Sequence, residues 1–298
     1  MAAVHVEREE FEAIKSMSSS TIRYEQLNDA IKRIKKCKKR LQLRFPAVFR
    51  DGVLLQFLCK FIQQNRAISH FACGLSENYG AGFYALNEIL KIATIHKYNF
   101  RLTDLSFASK EFFDSLRDAV IHEFYIKFDS CSEGNLKLLC EALSGNQYLT
   151  KLTFSCKSFP TDQSVQYFAE LLSHQNLNIH KLSLSIESIT AAQFAIICKH
   201  GFEPQSRRGN DACFACLDLE DCMIGYDGMK VLTDTLTQCA NIKTLTIGNN
   251  GPFAMKAFFE SFGKMKYIEK LICNESQLIR AEKLDLELIS TAMNEIFD

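Results

Sequence analysis

The chain has 298 residues, with Lys+Arg and Asp+Glu both at 35, so its charge balance favours neither nucleic acid nor an anionic membrane surface. A hydrophobic content of 47% implies a folded chain with a sizeable core, and no run of 18 apolar residues is present to span a bilayer. With 4 Pro, no Trp and no low-complexity tract, the disordered and fibrous classes are excluded as well.

Residues 1–37 predict a helical segment, because Tyr24, Leu27, Ile31 and Ile34 recur at helical spacing opposite Lys32, Arg33, Lys35 and Lys36. Its expected role is a terminal cap. The basic run Lys32–Arg40 is by default a solvated helix face, with a phosphate-binding or address role as the alternative. Met1–Ser20 is charged (Glu7, Arg8, Glu9, Glu10, Lys15) and has no secretory pattern. The 12 Cys therefore read as buried, reduced thiols of a cytoplasmic chain, or of one exported without a signal peptide.

From residue 38 a pattern repeats. It is clearest in Phe214-Ala-Cys-Leu217-Asp-Leu219, where apolar residues stand three and then two apart, followed by the helical face of Met229, Leu232 and Leu236. Ile242-Lys-Thr-Leu245-Thr-Ile247 restarts it, with Cys222 and Asn250 each five residues after the central Leu. The central position falls at Leu41, Phe71, Leu105, Phe124, Leu152, Leu182, Leu217, Leu245 and Leu271, giving steps of 30, 34, 19, 28, 30, 35, 28 and 26. Seven residues on lie apolar Val48, Phe112, Cys131, Phe159, Ile189, Ile224 and Leu278, with Asn78 and Pro252 as exceptions. Eleven residues on, Gly52, Gly82 and Gly228 each precede a helical face.

The step of 19 leaves room for only a stunted helix around 112–120, whereas the step of 35 accommodates a polar loop over 202–211. Residues 279–297, with Ile279, Leu284, Leu288, Ile289 and Met293, predict a closing helix. The boundaries are thus a cap at 1–37, one repeat array at 38–276 and a capping helix at 277–298. One such unit cannot bury its own apolar face, so stacked units share a core.

These residues resemble the ribonuclease-inhibitor-like class of leucine-rich repeat proteins over roughly Lys38–Ser276. The resemblance implies an α/β solenoid, a horseshoe with a parallel concave sheet, convex helices and helical caps. It also implies binding through the concave face, and it does not imply catalysis. The chain departs from the class at the turn position, which holds Pro46, Ser76, Lys110, Asp129, Lys157, Glu187 and Ser276 where Asn or Cys is usual, so irregular repeats are expected. The Lys/Asn/Phe/Ile-rich composition and a tail with Glu282, Glu287 and Glu295 are similar to effectors that bacteria of the Legionella type inject into host cells.

On such a sheet the residues flanking each central position face away from the core. Before it stand Arg40, His70, Asp104, Glu123, Lys151, Lys181, Cys216, Thr244 and Lys270; after it, Gln42, Ala72, Ser106, Tyr125, Thr153, Ser183, Asp218, Thr246 and Ile272. His122, His180 and Lys243 lie one step earlier, as does Thr103, and Glu220 adds an acidic spot beside Asp218. The binding residues expected on this face are Arg40, His70, Tyr125, Lys151, His180, Lys181, Asp218, Glu220, Lys243, Thr244 and Lys270. Lys151 and Lys181 would meet acidic groups of a partner, and Asp218 would repel one in the wrong register.

Catalytic signals are poor. Cys213-Phe-Ala-Cys216 lies on a predicted strand, where residues three apart face opposite ways, and no second Cys or His pair completes a zinc site. Cys198 continues the helix face of Phe194 and Ile197, which favours a buried thiol over a nucleophile served by His200. Gly74, Gly80 and Gly82 do not fit a phosphate loop. The expectation is a monomeric, non-enzymatic protein-binding module without cofactor or metal. Nucleic-acid or phosphoinositide binding through Lys32–Arg40 is the alternative.

Overall fold

The computed structural model describes residues 39–43, 59–75, 80–175, 177–206, 214–248, 250 and 252–273, with residues 32 and 36. Nine strands follow one another across a single sheet: β1 Arg40–Leu43, β2 His70–Leu75, β3 Lys97–Asp104, β4 Glu123–Ser130, β5 Lys151–Ser158, β6 Lys181–Ser188, β7 Cys216–Glu220, β8 Thr244–Gly248 and β9 Lys270–Cys273. Every neighbouring pair is parallel. The helices Gly80–Leu90, Lys110–Asp118, Glu133–Gly145, Asp162–Ser173, Gly225–Leu236 and Pro252–Phe262 lie in the crossovers, and successive members of this layer pack on one another, with the helical segment 191–202 between Asp162–Ser173 and Gly225–Leu236. The predicted α/β solenoid is the observed architecture. Most of the two expected caps lies outside the described residues.

Parallel sheets usually carry helices on both faces and read as continuous apolar runs. Here one face is open, so the strands alternate: Phe124, Ile126 and Phe128 are buried, whereas Glu123, Tyr125 and Lys127 are not. The sheet register corrects one sequence position. Tyr98, not Leu105, stands between Phe71 and Phe124. The steps therefore become 30, 27, 26, 28, 30, 35, 28 and 26, and the anomalous 19 disappears. Leu105 is buried too, but it opens the short turn Leu105–Phe107, which Asp104 caps by accepting from the Ser106 N–H at 2.7 Å. Lys97 and Asn99 hold the open-face positions expected for Asp104 and Ser106, and His96 that expected for Thr103.

Over β4 to β8 the strand length goes with the residue at the turn position. Asn250 donates from Nδ2 to Leu219 O at 2.8 Å and to Gly248 O at 2.9 Å, and the Cys222 thiol donates to Leu184 O at 3.0 Å. Strands β7 and β8 end within five residues at these buried donors. Where Asp129, Lys157 and Glu187 occupy the position, β4, β5 and β6 run on for eight residues and the charged side chains stay exposed. In β3, Thr103 donates to Leu75 O at 3.2 Å. A second set of ties joins the helix layer. Asn146, buried, donates to both Leu116 O and Ala119 O at 2.9 Å, satisfying carbonyls the preceding helix end leaves unpaired.

The core between sheet and helices is rich in Phe. Phe154 lies 5.4 Å from Phe128 and 4.5 Å from Phe168, ring centre to ring centre, and all three side chains are fully buried. The loop predicted over 202–211 begins later than expected, since Ile197–Phe202 forms a π-helical turn and Glu203–Ser206 a further helical turn. Phe202 is drawn into the core beside Phe214 (6.1 Å), and Gln205 donates to Leu172 O, so these residues are anchored. Pro204 follows the π-helical turn with no break in the helical backbone, and it lacks the N–H that would otherwise pair with the preceding turn. Residues 207–213 of the loop lie outside the described residues.

Candidate functional site

The open face is organised in rows that cross the strands. The first row, fixed by the register, is Arg40, His70, Lys97, Glu123, Lys151, Lys181, Cys216, Thr244 and Lys270. The second is Gln42, Ala72, Asn99, Tyr125, Thr153, Ser183, Asp218, Thr246 and Ile272. Arg40, His70, Lys151, Lys181, Thr244 and Lys270 thus share one row, with Tyr125 and Asp218 in the next. His180 and Lys243 stand just before their strands, and Glu220 closes β7 opposite Gly248.

Several of these groups already have partners. Glu123 pairs with Lys97 on one side and with Lys151 at 3.8 Å on the other. Partial burial alone would raise the Glu123 pKa. The hydrogen bond and charge of Lys97, aided by Lys151, outweigh it and hold the carboxyl below the usual Glu value. His70 shifts down, first because of burial and then because Lys97, Lys39 and Arg40 repel a second charge. Lys243 pairs with Glu269 at 3.0 Å, and Ser183 donates to Asp218 at 3.2 Å. Lys127 reaches over β5 to Glu187 at 3.5 Å, and the Arg101 guanidinium lies 5.7 Å from the centre of the Tyr125 ring. Among the described residues no carboxylate pairs with Lys181.

Lys151, expected to meet an acidic group of a partner, is paired with Glu123 within the sheet. That pair is exposed and is worth on the order of 0–1 kcal/mol. A shallow depression of about 280 Å³ lies over β1–β5, lined by Arg40, His70, Lys97, Asn99, Glu123, Tyr125, Lys151 and Thr153 among others. Two of these, Lys97 and Asn99, together with Arg101 next to them, escaped the sequence reading. The strict alternation Lys97-Tyr-Asn-Phe-Arg-Leu102 marks them, but it has Tyr where the pattern asks for Leu.

Thiol chemistry is disfavoured by geometry. Of the nine cysteines whose side chains are described seven are buried; Cys131 and Cys216 are the two of these that are partly accessible. Burial pushes Cys59, Cys73, Cys131 and Cys222 up to about 12, and Cys140, Cys156 and Cys198 up as well. Cys198 is buried and His200 exposed, so the two do not form a nucleophile–base pair. Cys213 lies outside the described residues. The His96 and His122 rings stack at 5.1 Å just before the adjacent strands β3 and β4, with His96 Nδ1 3.3 Å from Val120 O. Among the described residues no group of three His, Cys, Asp or Glu is placed to hold a metal, and no helix is long and apolar enough to cross a membrane.

No protein-family model matches the chain, and no curated protein does. Among solved structures it is similar to a TLR13–ssRNA13 complex at 15% identity and a TM-score of 0.44, covering 81% of this chain and 30% of that one. The chain therefore spans under a third of that protein. The tropomodulin C-terminal domain of Caenorhabditis elegans matches at 10% identity and a TM-score of 0.33, over 61% of this chain and 94% of that one. A sugar phosphate isomerase/epimerase from Parabacteroides distasonis matches at 10% identity and 0.22, over 80% and 86%. The fold assignment rests on the sheet register rather than on these likenesses.

Proposed function

We propose that the chain is a non-enzymatic module that binds a protein partner through the open face of its sheet. The observation that carries this reading is the continuous pair of side-chain rows on a pre-formed nine-stranded sheet. Strands about 4.8 Å apart extend those rows to about 38 Å, enough for a protein surface and too flat to enclose a small substrate. A sheet already hydrogen-bonded on both sides of each inner strand does not have to order itself on binding. The centre of the contact is assigned to Lys151, Lys181, Asp218 and Thr244, which stand on the adjacent strands β5 to β8. We further propose that the repeat array of 38–276 acts as a single domain between its caps, as a monomer. The composition that resembles injected bacterial effectors makes a host protein the partner class.

Capture with the intact chain, identification of the captured protein and measurement of its affinity test the proposal. Lys151→Glu with Lys181→Glu should weaken binding at least tenfold, on the order of a lost pair of interface charges. Lys137→Glu with Lys256→Glu, on the exposed helix layer, should leave it unchanged. The reverse pattern would reject the open face as the binding surface.

A further inference from the structure

We infer that Glu123 is a resident carboxylate in a subsite built for an acidic side chain of the protein partner; the inference rests on the protein-binding reading above. Lys97, Glu123 and Lys151 are register partners on β3, β4 and β5, so the carboxylate stands between two ammonium groups in one row. Its two oxygens divide the work, Oε1 facing Lys97 and Oε2 facing Lys151. Both lysines remain more than a third exposed, and an ammonium has three donors, so each retains capacity for a second acceptor.

The surroundings hold more positive charge than Glu123 neutralises. Arg40, Lys97 and Lys151 line the depression, Glu123 is the one carboxylate in that lining, and burial together with Lys97, Lys39 and Arg40 disfavours the charged form of His70. Tyr125 and Asn99 complete the wall with neutral polar groups. An incoming carboxylate meets a site already shaped for one, and competes with Glu123 for Lys97 and Lys151.

A nucleic acid fits less well. Its binding needs a broad basic field, the chain's charges balance at 35 each, and Glu123 sits where consecutive phosphates would pass. Glu123 thus lowers affinity and raises selectivity, because a partner lacking a matching acid gains nothing for breaking the internal pair.

Fluorescence anisotropy with a labelled hexaglutamate peptide at low salt tests this. Glu123→Gln should bind the peptide about three- to tenfold more tightly than the unaltered chain, as expected for removal of one competing charge. Lys97→Gln with Lys151→Gln should abolish the binding, while Lys137→Gln with Lys256→Gln and a hexaglutamine peptide serve as unaffected controls. An unchanged or weaker affinity in Glu123→Gln, or no binding by any variant, overturns the inference. So does a larger gain for an oligothymidylate than for the peptide, which would mark a phosphate site. If the captured partner ignores Glu123→Gln and Lys97→Gln but is lost with Lys181→Glu, the subsite fails and the binding face stands. If all of these leave it bound, both fail.

Discussion

The Lys151 ammonium lies 3.8 Å from the Glu123 carboxylate of the neighbouring strand, inside the face assigned to partner binding. Because the folded-state pKa of Glu123 is depressed, its contribution to stability is fully present above the unfolded value and is lost as pH falls through the folded one. Burial opposes this shift, and the hydrogen bond and charge of Lys97 carry it. Urea unfolding of the unaltered chain and of Glu123→Gln should therefore show a constant difference at neutral pH. That difference should shrink below the ordinary Glu value of 4.5, toward the folded value. A difference that grows with acidity would contradict the pairing.

Phe154 ties β5 to both Phe128 and Phe168. Phe154→Ala should cost about 3–5 kcal/mol in unfolding free energy, the range for removing a fully buried aromatic. Lys137→Ala on the exposed helix layer should change it by less than about 0.5 kcal/mol. Comparable losses would mean that the repeats do not share one core.

The helix-layer tie at Asn146 is a polar counterpart. Asn146→Ala leaves the Leu116 and Ala119 carbonyls without their donor, so a loss of about 1–3 kcal/mol is expected from the desolvated acceptors. Asn99→Ala, on the open face, should be close to neutral. Calorimetric melting of the two variants separates the roles.

Thiol reactivity has a definite expected order. In site-resolved alkylation of the native protein at about pH 8, Cys216 should react before Cys73, Cys140, Cys156, Cys198 and Cys222, which are buried and held as thiols. Cys131 is partly accessible, yet its pKa is pushed up to about 12 by burial and by Asp104, so it should stay slow. Fast modification of Cys198 would reopen a nucleophilic role for that residue.

The repeat was legible in the sequence because each strand must bury its central residue against the helices, and eight of the nine positions were read in register. The ninth was misplaced for a physical reason. Tyr98 is amphipathic and does not match a Leu template, but its ring is buried and its hydroxyl points to Ile89 O at 3.5 Å. Leu105, a better match by type, is equally buried but belongs to a turn. The candidate face inherited that error, losing Lys97 and Asn99 and taking in Asp104. Ion pairs such as Lys97–Glu123 connect residues 26 positions apart, and only the correct register brings them together.

The central claim, that a protein partner sits on the open face of the sheet, is tested most directly by lysine footprinting of the complex. Acetylation rates of Lys97, Lys151 and Lys181 should fall when the partner is bound, while those of Lys137 and Lys256 on the helix layer stay as they are. Protection of Lys137 and Lys256 with the strand lysines unprotected would contradict the account.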